Sequence, residues 1–231
     1  MRTRLPSHRP LRAVILLVLA ALLLTATVVP ASARELRYRE QTGDQSLLFS
    51  WQADATPNEV TVTVTQRQGE EVFTSVNTPE GTTLSWHYSR QPDTDVRVAR
   101  KGNFLQFSGR FQGQPIEKKE KIDRRPWYQP LSFSLHCMEG RKQNKASFWT
   151  IRPDNLDAVS LQAERQGNGR LPGADGGEVL ANKVVIRLEG LLSALWSAEY
   201  WFRQGDNLFI RYRGTHGPPG VPETVITLVR P

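Results

Sequence analysis

Short runs of alternating apolar and polar residues recur along the chain and predict β-strands. In the clearest run, VTVTVT, Val60, Val62 and Val64 alternate with threonines. A period of two places successive side chains on opposite faces of a strand, and β-branched residues favour that conformation. Further runs of this kind lie at 36–40, 46–51, 83–88, 96–100, 103–109, 146–151, 158–164, 182–190, 197–203, 207–213 and 223–229. The chain is therefore predicted to be mainly β.

Turn-forming residues separate these runs at short intervals. Clusters that include Gly, Pro, Asn or Asp lie at 54–58, 67–69, 77–81, 101–102 and 204–206. Two tight hairpins are predicted, at 100–103 and at 203–207, where Gly205 is free to take a positive φ. Many short strands separated in this way are typical of an antiparallel sheet. We predict one curved antiparallel sheet that forms an open or partly closed β-barrel.

The best helical pattern lies in QPLSFSLHCMEG. There, Leu131, Leu135 and Met138 follow the i, i+4, i+7 spacing of one helix face. We expect one short helix near 129–139. The glycine-rich stretch 165–178 lacks a large apolar face and predicts a mobile loop or a wide hairpin tip.

The first 33 residues have the three-part pattern of a secretory signal peptide. Four arginines precede a run of 17 uncharged residues at 13–29, and Ala-Ser-Ala then matches the small-residue pattern that signal peptidases accept. Cleavage between Ala33 and Arg34 is predicted. It would leave 34–231 as a single β-rich domain in the periplasm or outside the cell. The alternative is an uncleaved membrane anchor, although a spanning helix needs about 20 apolar residues.

The remaining 198 residues suffice for one sizeable core and are few for two domains. The chain has 30 basic and 23 acidic residues, and without the four arginines of the leader its net charge is +3. Such a charge is weak support for nucleic-acid binding, so no nucleic-acid partner is predicted. Cys137 is the only cysteine, which excludes an internal disulfide, and its apolar neighbours predict a buried thiol.

No motif in the sequence specifies a reaction. After the leader, the histidines His87, His136 and His216 are far apart and lack metal-ligand spacing. Neither G-x-S-x-G, G-x-G-x-x-G nor a phosphate-binding loop is present. Paired carboxylates for glycoside chemistry remain open, because their partners are set in space. We predict no catalytic residue, metal site or cofactor, and we expect a protein that is not an enzyme.

Tryptophans and an aromatic, basic hairpin near the C-terminus indicate a binding surface. We predict that Trp149, Trp201 and Phe209 line a groove on one sheet face, with Arg211 and Arg213 at its rim to meet an acidic headgroup. Strict alternation would put Phe209, Arg211 and Arg213 on the same face of their strand. The alternative is structural, because tryptophans are often buried in cores and arginines often stack on aromatic rings.

The segments WYQPLSFSL, SFWTIRP and AEYWFRQGDNLFIRYRG resemble exported bacterial proteins known only as domains of unknown function. In that group a secreted β-rich chain ends with a strand bearing a Tyr-Trp-Phe-like signature, a short turn and a basic aromatic strand. The group is similar in architecture to the open β-barrels of lipoprotein-localisation factors of the LolA and LolB type. Those barrels wrap a curved antiparallel sheet around a helical plug and hold acyl chains. The resemblance implies this architecture and no catalytic residue.

Three functions follow as expectations. The first is a non-enzymatic binding module whose concave face takes a hydrophobic or amphipathic envelope molecule such as a lipid. The second is a structural or assembly factor that contacts another envelope protein through sheet edges. The third is a hydrolase of envelope glycan or lipid. A binding module requires an apolar hollow in the barrel. An assembly factor requires a filled interior and an exposed sheet edge. A hydrolase requires titratable groups that converge in a cleft. Membrane contact is expected only through the leader or transiently.

Overall fold

The computed structural model describes residues 34–139, 144–190, 193, 196–215 and 221–230. The predicted signal peptide, with Ala33 at its end, lies outside the described residues, as does His216, whereas Arg34 begins the first strand. The described residues belong to one compact unit. Among them, no helix is long and apolar enough to cross a membrane.

The described residues form fourteen strands in one sheet. Eight strands precede the helical segment: β1 (Arg34–Thr42), β2 (Gln45–Ala55), β3 (Val60–Gln66), β4 (Glu71–Asn77), β5 (Thr83–Arg90), β6 (Thr94–Lys101), β7 (Phe104–Phe111) and β8 (Gln114–Lys121). Six strands follow it: β9 (Lys145–Ile151), β10 (Ala158–Pro172), β11 (Glu178–Leu188), β12 (Ser197–Arg203), β13 (Phe209–Thr215) and β14 (Glu223–Arg230).

All neighbouring strands are antiparallel, in the order β8-β7-β6-β5-β4-β3-β2-β1-β14-β13-β12-β11-β10-β9. The chain forms two meanders, β1 to β8 and β9 to β14, which join where β1 pairs with β14. Strands β8 and β9 are the two edges, so the sheet is open. The predicted fold class, a mainly β chain with one open antiparallel sheet and one short helix, is confirmed for the described residues.

The alternation in the sequence decides which side chains face inwards. In β3, Val60, Val62 and Val64 are buried, while the threonines between them are more exposed. Both predicted hairpins are present. Gly102 has a φ of 60° between β6 and β7, and Gly205 has a φ of 97° between β12 and β13.

Two apolar clusters pack against the inner face of the sheet. The larger includes Tyr38 and Phe202, and the smaller includes Trp86 and Phe107. Phe73 of β4 packs against both, so the two clusters are adjacent parts of one interior. Burial of each such side chain contributes about 1.5–3 kcal/mol relative to exposure.

The helical segment is shorter than the sequence pattern predicts. Helix α1 spans Leu131–Ser134, and a 3-10 turn at Leu135–Met138 follows it. Leu135 and Met138, the first and last residues of that turn, are fully buried, so the predicted apolar face is confirmed. Arg165 of β10 donates to the carbonyl oxygens of Met138 and Glu139, at 3.4 and 3.2 Å, and thereby stabilises the C-terminal end of the turn.

The chain between β8 and α1 bridges distant parts of the sheet. The backbone N–H of Thr83, on β5, donates to the carbonyl of Trp127 at 2.8 Å. The N–H of Tyr128 donates to the carbonyl of Trp149, on β9, also at 2.8 Å. Because β5 and β9 lie ten positions apart in the strand order, these contacts require a strongly curved sheet.

Candidate binding site

The helical segment packs against the inner face of the curved sheet. The ring of Tyr128, just before α1, stacks on Phe148 of β9 with 4.9 Å between centroids. On the opposite side, Trp51 Nε1 of β2 donates to Ser132 Oγ at 3.3 Å. Leu135 and Met138 are buried in the same cluster. The interior around α1 is therefore packed rather than hollow.

A cavity of about 100 Å³ lies at the end of the sheet where β12 ends and β13 begins. We call it the mouth cavity. It is lined by the tip of the β10–β11 hairpin and by residues of β12, β13 and β14: Pro172, Gly173, Ala174, Asp175, Val179, Arg203, Ile210 and Leu228. Most of this lining is apolar. Sites for drug-sized ligands measure about 300–1,000 Å³, so the mouth cavity has room only for a small group or the end of an apolar chain.

The tip of this hairpin is the glycine-rich stretch for which the sequence predicts a loop or a wide hairpin. Strand β10 extends to Pro172 and β11 starts at Glu178, so the hairpin alternative is the one that forms. Asp175 Oδ1 accepts a hydrogen bond from the N–H of Gly177 at 3.1 Å within the tip.

Arg203 supplies the positive charge in the cavity wall. Its Nε and Nη2 donate to the carboxylate of Asp206, at 3.0 and 2.5 Å. These hydrogen bonds raise the pKa of Arg203, so the guanidinium stays charged. A guanidinium has five N–H donors, and the contacts to Asp206 use two of them. The remaining N–H groups of Arg203 can donate to an anionic group at the opening of the mouth cavity.

An aromatic cluster adjoins the mouth cavity through Phe209, the neighbour of Ile210. The ring of Tyr38 lies 5.3 Å from that of Phe209 and 5.4 Å from that of Phe49. The hydroxyl of Tyr38 donates to the carbonyl of Phe209 at 2.7 Å. Burial also raises the pKa of Tyr200, whose ring contacts Phe209, so its hydroxyl stays neutral. The aromatic cluster next to the cavity lining is thus uncharged.

Phe209 does not lie on the face that strict alternation predicts for it. The register between β12 and β13 shifts, so that Phe202 pairs with Phe209 while Trp201 pairs with Arg211. Phe209 is only 5% exposed and belongs to the larger core. A β-bulge of this kind breaks the period of two. The expectation that Phe209 shares a face with Arg211 and Arg213 is therefore wrong.

Trp201 and Arg211 do lie side by side, as a directly opposed pair on the outer face. The Nζ of Lys183 is 5.4 Å from the centre of the Trp201 ring. The ring also covers Gly169, where an added Cβ would be 3.2 Å from Trp201 Cζ3. Trp201 is thus packed along part of its ring and half-buried overall.

The other two predicted residues lie elsewhere. Arg213 is exposed, and its Nε donates to Glu223 at 2.8 Å. Trp149 lies on β9, three strands away from Trp201 on β12. The structure therefore does not bring Trp149, Trp201 and Phe209 into one groove. A ligand-binding role for each of the five predicted residues stays a prediction.

The contacts of Trp149 join separate segments of the chain. Its Nε1 donates to Asp123 Oδ1 at 2.9 Å, and the guanidinium of Arg125 lies 4.8 Å from the centre of its ring. Hydrogen bonds from Arg125 and Trp149 hold the pKa of Asp123 well below its usual range. These contacts match the alternative in which Trp149 has a structural role and an arginine stacks on its ring.

Sequence reasoning missed most of the mouth cavity. Val179, Arg203 and Leu228 are far apart in the sequence and belong to no motif. The cluster PGADGG was the available signal, because closely spaced glycines allow close backbone approach. A Cβ on Gly173 would lie 2.7 Å from Asp175 Oδ1.

The described residues hold few groups arranged for other chemistry. No three His, Cys, Asp or Glu side chains in the described ranges are placed to bind a metal ion together. His87 Nε2 lies 3.0 Å from Asp95 Oδ1, and both side chains are exposed. Cys137 is half-buried rather than buried, with its Sγ 3.4 Å from the hydroxyl of Tyr128.

Comparisons with known proteins show a likeness of fold. The structure is similar to the crystal structure of a β-barrel-like protein of the domain of unknown function DUF1849 from Brucella abortus, with a TM-score of 0.58 and 7% sequence identity. The match covers 86% of this chain and 96% of that one. The predicted resemblance to an uncharacterised β-rich group of open-barrel architecture is thereby confirmed for the fold.

A second solved structure is more distant. The hypothetical lipoprotein YmcC from Escherichia coli matches with a TM-score of 0.42 and 10% identity over 100% of both chains. A likeness at this level supports no argument about function. No family model matches the sequence, and no curated protein is similar to it.

Proposed function

We propose that this protein is an exported, non-enzymatic module that binds an anionic amphipathic molecule of the cell envelope. The apolar end of that molecule enters the mouth cavity, and its acidic group meets Arg203. The observation that carries this proposal is the mouth cavity itself, whose mostly apolar wall includes the guanidinium of Arg203 and the carboxylate of Asp175. Export is supported by the signal-peptide pattern at 1–33.

The small volume of the cavity limits the ligand. Each buried methylene contributes about 0.8 kcal/mol, so a short chain end yields only a few kcal/mol. Affinity in the micromolar range requires about 8 kcal/mol. The remainder must come from the acidic group and from chain length outside the cavity. Because the cavity supplies only part of the binding free energy, the site fits a carrier or sensor that releases its ligand readily.

Binding of undecanoic acid, an anionic amphiphile with an unsubstituted apolar end, tests this site when it is measured by isothermal titration calorimetry. The experiment uses residues 34–231, which contain all fourteen strands and both apolar clusters. In Val179→Trp the indole occupies the cavity and excludes about two methylenes of the probe. We expect about tenfold weaker binding of the probe. Arg203→Gln is expected to weaken binding of the anionic probe and to leave binding of its methyl ester unchanged.

Leu180→Trp is the matched control, because Leu180 adjoins Val179 in sequence, is 48% exposed and does not line the cavity. It should bind the probe like the unaltered protein. Equal affinities of the two tryptophan variants would show that the probe binds elsewhere and would overturn the proposed site. Native mass spectrometry of protein from its own envelope fraction would then identify any co-purifying lipid.

A second candidate function is an assembly factor that pairs through a sheet edge. It is favoured by the packed interior around α1 and by the edge position of β8. Strand β8 carries five charged residues at 117–121, a composition that protects edges from unspecific pairing. A partner strand would therefore need complementary charges. A protein that binds no amphiphile, and whose native mass shows no lipid, would favour this second candidate.

A further inference from the structure

One cross-strand row on the outer face combines two arginines with apolar side chains. Leu48 of β2 is opposite Arg39 of β1, and Arg39 is opposite Thr227 of β14. Thr227 is opposite Arg211 of β13, and Arg211 is opposite Trp201 of β12. We call these five residues the outer row. With about 4.8 Å between neighbouring strands, the row is about 19 Å long.

The neighbours of the outer row in sequence establish its direction. Tyr38, Ile210 and Leu228, each adjacent to a member of the row, are buried inside the sheet. Because successive side chains of a strand alternate, Arg39, Arg211 and Thr227 point to the opposite, outer side. Arg39 and Thr227 are accordingly exposed.

The two arginines of the row carry charge that the protein does not neutralise locally. Nearby cations on the same face have partners: Lys183 pairs with Glu199 at 3.1 Å, and Arg213 with Glu223 at 2.8 Å. Arg39 and Arg211 form no ion pair or hydrogen bond within the described part of the chain. The guanidinium groups are therefore available to an external anion.

Apolar groups at both ends of the row select among anionic partners. Leu48 is 60% exposed, the largest exposed fraction among the large apolar side chains described. At the other end, Trp201 is half-buried. Tryptophan favours the headgroup region of membranes, and basic residues are attracted to anionic lipids. A soluble polyanion would bind the arginines but would leave Leu48 in water.

We infer that the outer row docks the protein onto an anionic lipid bilayer surface. This docking goes beyond the proposed ligand binding and does not depend on it. Arg211 and Thr227 are the immediate neighbours of Ile210 and Leu228 in the cavity lining. The row and the cavity lining therefore lie on opposite faces of the same part of the sheet.

Co-sedimentation of residues 34–231 with vesicles tests the inference without the apolar leader. Binding is expected to phosphatidylglycerol vesicles and not to phosphatidylcholine vesicles, and it should weaken as salt is added. Each arginine near an anionic surface contributes about fivefold in affinity, so the double variant Arg39→Gln/Arg211→Gln should bind about 25-fold more weakly at low salt.

Arg97→Gln/Arg110→Gln is the matched control. Both residues are exposed on β6 and β7, far from the row in the strand order, and the change in net charge is identical. This variant should keep vesicle binding nearly unchanged. Equal losses in the two double variants would show that net charge alone attracts the protein and would overturn the docking row.

Leu48→Ser separates a bilayer from a soluble polyanion. The variant should lose affinity for phosphatidylglycerol vesicles severalfold and keep its affinity for heparin, because only the bilayer accepts the leucine side chain. Unchanged vesicle binding by Leu48→Ser, or binding to heparin without binding to vesicles, would contradict the inference. Because undecanoic acid reports on the mouth cavity, its unaltered binding by these variants would show that the two sites are independent.

Discussion

Arg125 connects the segment after β8 with strands that come much later in the chain. Its guanidinium donates to Asp123 at 2.8 Å, to Ser160 of β10 at 2.6 Å, and to Glu189 just after β11. Arg100 of β6 adds two donors, to the carbonyls of Asp123 and Arg125, at 2.9 and 2.8 Å. Charge-assisted hydrogen bonds of this kind are stronger than neutral ones. A single side chain thus helps to hold the curved sheet together.

Replacing Arg125 is expected to destabilise the fold. Arg125→Ala removes the charged donor to Glu189 and Ser160, while Ser160 still donates to Glu189, and we expect it to lower the free energy of unfolding by about 2 kcal/mol. Urea denaturation measures this change. Arg124→Ala is the control, since Arg124 is exposed and should contribute less than about 0.5 kcal/mol. Equal stabilities of the two variants would contradict the role assigned to Arg125.

At the scale of elements, strands β6 and β7 pack unusually closely at Gly109. This glycine pairs with Val96 and has a φ of 122°, which side chains rarely tolerate. A Cβ at this position would lie 2.0 Å from the carbonyl oxygen of Asp95. Gly102, in the turn between the same strands, has a φ of 60° and open space around it. Gly109 therefore allows β6 and β7 to pair closely, and Gly102 allows the turn between them.

The two glycines predict different costs for the same substitution. Gly102→Ala should cost about 1 kcal/mol, the usual penalty for a left-handed conformation. Gly109→Ala adds a backbone clash and should cost more than about 3 kcal/mol. Thermal and urea unfolding of the two variants measure the difference. Similar costs would mean that β6 and β7 can separate at this point without loss.

At the scale of the whole molecule, buried tyrosines lie in both apolar clusters. Burial and a hydrogen bond to Glu71 raise the pKa of Tyr88 to about 12, in the smaller cluster. Burial likewise raises the pKa of Tyr200 and of Tyr212, in the larger cluster. The neutral hydroxyl is favoured in the folded state. Its stabilising contribution is complete below a pH of about 10 and is lost as the pH rises through the higher folded pKa.

An alkaline titration followed by tyrosinate absorbance tests this arrangement. Tyr88, Tyr200 and Tyr212 should stay protonated until the protein unfolds, because ionisation inside the sheet is opposed by desolvation. Their ionisation should coincide with the loss of β-sheet circular dichroism. Tyr88→Phe should lower, by the contribution of one tyrosine, the rise in tyrosinate absorbance that accompanies unfolding. Ionisation of these three tyrosines before unfolding would contradict the packed interior.

Much of the fold was predictable from the sequence, and the candidate site was not. Alternation identified the inward face of β3, and glycines marked the turns at Gly102 and Gly205, because both depend on neighbours in sequence. The face of Phe209 was mispredicted, since the bulge that moves it arises from pairing with β12. The mouth cavity was missed because Val179 and Leu228 meet only through the sheet order.

Local sequence patterns were enough to predict the strands, the hairpin turns and the apolar face around Leu135. These are consequences of the local backbone period and of glycine conformation, which act over a few residues. Three features depend on the folded arrangement: β14 pairs with β1, Arg125 reaches Glu189, and Arg39 and Arg211 share one row. Such contacts depend on register between strands distant in sequence, and many registers satisfy the same alternation.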